Sequence, residues 1–197
     1  LEKVMPEANA WKVFYERNKQ AAYATDSTKG TTPIYQPIDN LSSAKSAYGN
    51  IVYRKAPSFL RQAEFYLGED KFQTAVRAFL KKDEYANEGW EDLVGEFEKA
   101  SGQNLQAWAR QWVTAPGLPI IRRSRVEVIS CFDLGLVEKT PSGNQGKWRM
   151  GIEPLVRFAN GKTWTGARYI VSPPISGGIC DGEPFPDVLL AFPNHKD

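Results

Sequence analysis

Pro116-Gly117-Leu118-Pro119 constrains the fold of this chain more than any other stretch. Two prolines and a glycine within four residues cannot continue a helix, because proline lacks the backbone N–H and its ring clashes with the preceding turn. Upstream, apolar residues recur at helical spacing; downstream, they alternate with a period of two. The break therefore predicts an α+β chain, with a mostly helical lobe over residues 1–116 followed by a small β-sandwich over residues 117–197.

Within the first part, two segments fill the i, i+3, i+4, i+7, i+8 template: Phe72, Ala75, Val76, Phe79, Leu80 and then Leu105, Trp108, Ala109, Trp112, Val113. Phe59, Leu60, Ala63, Tyr66 and Leu67 make a third stripe, closed by Gly68 where a left-handed helix cap is expected. Trp90, Leu93, Val94 and Phe97 make a fourth, ending at Ser101-Gly102. Nearer the start, Pro6 and the face formed by Trp11, Phe14, Tyr15 and Ala22 predict a helix ending near Asp26. Ser27 to Tyr35 reads as an irregular loop, and a short helix from about Leu41 leads to Tyr48-Gly49-Asn50. The later connections are only a few residues long, so neighbouring helices must pack against each other.

Beyond the break, Val126, Val128 and Ser130 alternate with Glu127 and Ile129, and Trp148, Met150 and Ile152 alternate with Arg149 and Gly151. Asn160-Gly161 between Leu155–Phe158 and Thr163–Val171 is a type I′ hairpin signal. Pro141 to Gly146 reads as a longer hairpin loop, Ser172 to Gly182 as a Pro/Gly-rich stretch, and Asp187 to Phe192 as a last strand. Five short strands at this spacing predict the sandwich.

Composition excludes several functions. The 25 Lys+Arg against 23 Asp+Glu give no basic excess, so no nucleic-acid partner is expected. No run reaches the roughly 18 apolar residues of a membrane span. The chain has one histidine, His195, and two cysteines, and it carries no HExxH, no paired CxxC and no Ser/His/Asp set, so a zinc site with three or four ligands is not expected from its own residues. His195 reads as a surface residue. Cys131 and Cys180 lie 49 positions apart and are read as two buried thiols, a disulfide requiring Cα atoms within about 7 Å. Two cysteines suit either redox setting, so the compartment stays open. Leu1-Glu2-Lys3 opens inside a helical pattern, and a piece of something longer is expected.

Four segments carry a family resemblance. Gly49 through Gln62 places Tyr53 in a Tyr-x-Lys context opening a helix; Leu67-Gly68-Glu69-Asp70-Lys71-Phe72 opens the next. Tyr85-Ala86-Asn87 runs on to Trp90-Glu91-Asp92-Leu93, and Leu105 through Trp112 leads to Gly117-Leu118-Pro119. In this order and spacing they resemble the M1 (gluzincin) family of zinc aminopeptidases, in register over about residues 1–120 and in kind over the β region. The resemblance implies the C-terminal half of a thermolysin-like catalytic domain joined to a β-sandwich. Two departures stand out: Ala56-Pro57 replaces the commoner Gly-Ala after Lys55, and Thr32-Pro33-Ile34 stands where many members have His-Pro-Ile.

The implied chemistry is attack of a zinc-activated water on the N-terminal peptide bond of a peptide substrate. Zinc is implied for the full-length protein only, held by ligands upstream of this chain, so the remainder of the polypeptide is its first expected partner and the chain alone is expected to be inactive. The resemblance carries over to one catalytic residue, Tyr53, whose neutral phenol would donate its O–H to the developing oxyanion. The local sequence also fits a core aromatic with a tethered hydroxyl. Lys55 reads as a structural partner for a nearby carboxylate or helix end. Glu84 and Glu88, and the Glu91/Asp92 pair, read as solvated helix charges rather than paired acids. Trp148, Trp164 and Tyr169 read as sandwich-core aromatics, with a sugar-stacking platform as the other reading. The rival to an enzyme is a non-catalytic interaction module of helices plus sandwich, which would expose an apolar face.

Overall fold

The computed structural model describes residues 3–82, 84–126, 131–137, 148–153, 155–158, 161–165, 169–171, 176–180 and 188–192, with side chains described over 3–82, 84–119 and at a few positions from 148 to 165. The helical expectations hold element by element. After a 3-10 turn at Pro6–Ala8, a continuous helix runs through α1 (Ala10–Val13), a π-helical turn (Phe14–Lys19) and α2 (Gln20–Asp26), ending where the sequence placed its end. The short helix is α3 (Leu41–Ala47), capped by the Asn40 side chain, which accepts from the Ser43 N–H at 2.9 Å.

A second π-turn (Ile51–Lys55) runs directly into α4 (Ala56–Leu67). The wide turn has a local cause. In an α-helix the ring of Pro57 would press on the carbonyl four residues back, that of Tyr53. The chain widens instead, and the Ala56 N–H donates to Ile51 O, five residues back. Proline after the lysine is thus accommodated by changing the turn that precedes it.

Gly68 has φ +87°, but its ψ of 154° is extended rather than left-handed helical. The reason is that α5 (Glu69–Lys82) begins at the very next residue, so one glycine must reverse the chain between two helices. Gly102, after α6 (Trp90–Ser101), does take the left-handed cap at φ +72°, ψ 13°. α7 (Gln106–Thr114) then leads to the break.

The core is a contiguous cluster built from Phe59, Ala63 and Leu67 of α4, Ala75 of α5, Val94 and Phe97 of α6, and Leu105, Trp108, Ala109 and Val113 at α7. Trp108 lies at its centre, its ring 5.2 Å from that of Phe59 and 5.4 Å from that of Tyr66. Phe72 of α5 stacks on Phe97 of α6 at 5.4 Å. α5 otherwise lies near the rim: only Ala75 is fully buried, and Leu80 is exposed.

The strands are β1 (Ile120–Val126), β2 (Cys131–Val137), β3 (Met150–Ile152), β4 (Leu155–Phe158), β5 (Thr163–Thr165), β6 (Tyr169–Val171), β7 (Ser176–Cys180) and β8 (Val188–Phe192). They form three antiparallel groups, ordered β1-β2-β7, β3-β6 and β5-β4-β8. A hairpin spans Asn160-Gly161 as β4–β5, and Gly161 has a positive φ of +83°, but Arg157 pairs with Thr163, a register one residue off that of a two-residue type I′ turn at this position; Asn160 lies outside the described residues. The strands differ from the expectation in several places. β1 meets the expected Val126–Ser130 strand only at Val126, residues 127–130 lying outside the described ones. β2 was not singled out, β7 falls in the Pro/Gly-rich stretch expected to be irregular, and the one strand expected over Thr163–Val171 is two, β5 and β6, in different groups.

Residues 148–151 pack directly on the helices. The indole N–H groups of Trp108 and Trp112 both donate to Arg149 O, at 2.8 and 3.0 Å. The Gly151 N–H donates to Gln62 Oε1 at 2.8 Å. Trp148 is fully buried, edge-on to Trp112. Burial removes Trp148 from any sugar-stacking platform; the side chains of Trp164 and Tyr169, and His195 altogether, lie outside the described residues.

Candidate active-site edge around Tyr53

Tyr53 occupies the middle of the second π-turn, its N–H bonded to Gly49 O at 3.0 Å. The residue is 58% exposed, which disposes of the sealed core aromatic that its sequence context also allowed. It stacks on the equally open ring of Tyr48, centroids 5.7 Å apart and planes 13° from parallel. Tyr48 is held there by the end of α3, so a short helix sets one wall against the phenol.

The turn carrying Tyr53 is braced on both sides against the end of α2. On one side the Asn50 side-chain amide donates to Thr25 Oγ1 at 2.8 Å, and Thr25 in turn donates to Ala21 O. On the other, Lys55 Nζ lies 2.7 Å from Asp26 Oδ2, with both side chains nearly excluded from water. Asp26 Oδ1 also accepts from Thr31 Oγ1 at 2.7 Å and from the Gly117 N–H at 3.0 Å, while Lys55 donates to Gly117 O at 2.7 Å. One buried ion pair thus grips both peptide groups of Gly117, the residue at the helix-to-strand break, whose φ is +91°. Burial of a charge on this scale is tolerated only when it is paired and hydrogen-bonded, as here.

Burial pushes the pKa of Lys55 below its ordinary value of 10.5, and the adjacent Asp26 charge and hydrogen bond recover only part of that shift. The expectation that Lys55 serves a carboxylate is met. Its partner, Asp26, was read only as a helix end, and Thr25, Asn50 and Tyr48 were given no role. The paired-acid candidates are not brought together: Glu84, Glu88 and Glu91 are exposed, and Asp92 is engaged in capping α6 through the Gly89 N–H.

Among the described residues there is no group of three or more His, Cys, Asp or Glu side chains able to hold a metal ion. Nor is any described helix long and apolar enough to cross a membrane.

The described structure is a helical lobe with an exposed tyrosine, followed by antiparallel strands. Residues 1–112 match the Peptidase family M1 domain, and the chain belongs to that family. It is 32% identical over 114 residues to aminopeptidase N of Streptomyces lividans, covering 58% of this chain and 13% of that protein. It is 30% identical over 124 residues to a leucyl aminopeptidase of Saccharolobus solfataricus, covering 63% and 16% respectively. The structure is similar to Legionella pneumophila aminopeptidase A, TM-score 0.60 at 18% identity, over 80% of this chain and 19% of that one. The chain thus spans less than a fifth of the proteins it matches.

Proposed function

We propose that this chain is the Tyr53-bearing part of a zinc-dependent M1 aminopeptidase that hydrolyses N-terminal peptide bonds, divided into a catalytic-domain lobe over 1–116 and a β-sandwich domain over 117–197. The zinc ligands lie outside the chain, and the chain alone is inactive. The observation that carries this reading is the exposed phenol of Tyr53 on a doubly braced turn, in a segment that matches the family. Several other large side chains along the same stretch, Tyr35, Ile38, Leu41 and Tyr48, are also exposed, as expected of a face that the rest of the polypeptide covers.

As water attacks the scissile carbonyl, negative charge grows on its oxygen. The Tyr53 O–H donates to that oxygen. The zinc of the full-length enzyme would supply Lewis-acid polarisation of the carbonyl and an activated water. This chain's contribution is one directed hydrogen bond from a turn that does not have to reorganise.

The test is Tyr53→Phe in the full-length enzyme. Removing one oxyanion donor should lower kcat by about 100- to 1,000-fold while KM changes little. Unchanged kcat would assign Tyr53 no role in the reaction.

A further inference from the structure

The antiparallel register of β2 and β7 pairs Cys131 directly with Cys180. These are the only two cysteines in the chain, so no competing pairing exists within it. Directly opposed Cα atoms in antiparallel strands lie about 4.5–5.5 Å apart, inside the roughly 4.4–6.8 Å that a disulfide spans. Opposed residues also share one face of the sheet.

The place is one where a covalent tie has work to do. β7 reads Ser176-Gly177-Gly178-Ile179-Cys180, and two adjacent glycines make a weak strand with little side chain to pack. It joins β2 from far along the sequence, so its pairing must offset the closure of a long loop. Cys131 opens β2 and Cys180 closes β7, so a bond between them fixes the register at the end of the ladder.

We propose that Cys131 and Cys180 form a cross-strand disulfide that staples β7 to the β1–β2 hairpin, a modification site independent of the role given to Tyr53. The oxidant is a low-molecular-weight disulfide of the glutathione class. One cysteine thiolate attacks it, forming a mixed disulfide and releasing one thiol. The second cysteine then attacks the protein sulfur of that mixed disulfide, releasing the second thiol. Two protein thiols are oxidised, one small disulfide is reduced to two thiols, and two protons pass to the released thiolates.

The test is equilibration of the whole chain in glutathione redox buffers, acid quenching, maleimide labelling and intact mass measurement. The expected result is a single conversion from a doubly labelled chain to an unlabelled one about 2 Da lighter than the reduced form, with non-reducing digestion yielding a Cys131–Cys180 linked peptide. The unfolded chain in concentrated urea should need at least a tenfold more oxidising buffer. The oxidised chain should melt about 5–10 °C higher than the reduced one, reversibly with dithiothreitol. Persistent double labelling, accumulation of glutathione adducts, or an equal midpoint in urea would each overturn the proposal.

Discussion

At the scale of single residues, the buried pair Asp26–Lys55 has the largest energetic leverage outside the apolar core. Taking away one member leaves the other charged and without its counter-ion in a dry site, which typically costs about 3–5 kcal/mol. Lys55→Met and Asp26→Asn should each destabilise the chain on this scale in urea unfolding. The double variant should lose clearly less than the sum, since the amide oxygen introduced by Asp26→Asn still accepts from the Gly117 N–H and no lone charge remains. The folded pKa of Lys55 lies below 10.5, so the folded chain sheds this proton before the unfolded chain does. Its stabilising contribution is therefore full above pH 10.5 and lost as pH falls through the lowered value. The stability of the wild type relative to Lys55→Met should rise as pH is raised from neutral toward that window, and a flat or falling difference would show that the pair is not desolvated. That Lys55 serves a carboxylate or a helix end was legible in sequence; which carboxylate, and its hold on Gly117, was not. Asp26 meets Lys55 across 29 positions and Gly117 across 91, and a carboxylate at a helix end looks the same whether it is bare or buried.

Elements were far more legible than their joints. The stripes at Phe59–Leu67, Trp90–Phe97 and Leu105–Val113 each became a helix, because burying one apolar face is what drives a helix to form in a domain. What the stripes did not encode is hydrogen-bond register: the π-turn under Tyr53 follows from Pro57 acting on the turn before it, an effect with no apolar signature. β7 escaped notice because its glycines carry no alternation, and its existence depends on a partner strand far away. Two glycines test the packing assigned to these elements, with opposite signs. At Gly151 an added Cβ would sit 3.0 and 3.1 Å from Phe65 ring carbons, at the contact between β3 and α4. Gly151→Ala should therefore destabilise by about 1–3 kcal/mol, the usual cost of overfilling a packed site. Gly95, inside α6, has nothing within 4 Å of the same position. Gly95→Ala should stabilise by about 0.5–1 kcal/mol through helix propensity and a less free unfolded chain. Thermal melts of both variants check the pair, and a shared sign would refute the packing.

For the whole molecule, the indole N–H groups of Trp108 and Trp112, Gln62 and Gly151 tie the strand region to α4 and α7, and Gly117 is gripped by a pair that also braces the Tyr53 turn. The edge that carries Tyr53 is therefore anchored to both halves of the chain while its phenol stays open. The central claim is that this hydroxyl recognises the tetrahedral oxyanion and not the ground-state peptide. It predicts a difference in ligand affinity, because only interactions that strengthen in the transition state accelerate a reaction. The most direct measurement compares full-length wild type and Tyr53→Phe for binding of a phosphinic dipeptide, which mimics the tetrahedral oxyanion, and of the product amino acid. A loss of about 100-fold for the phosphinic ligand, with product binding unchanged, is the predicted result. Equal affinity of both proteins for the phosphinic ligand, or equal losses for both ligands, would contradict it.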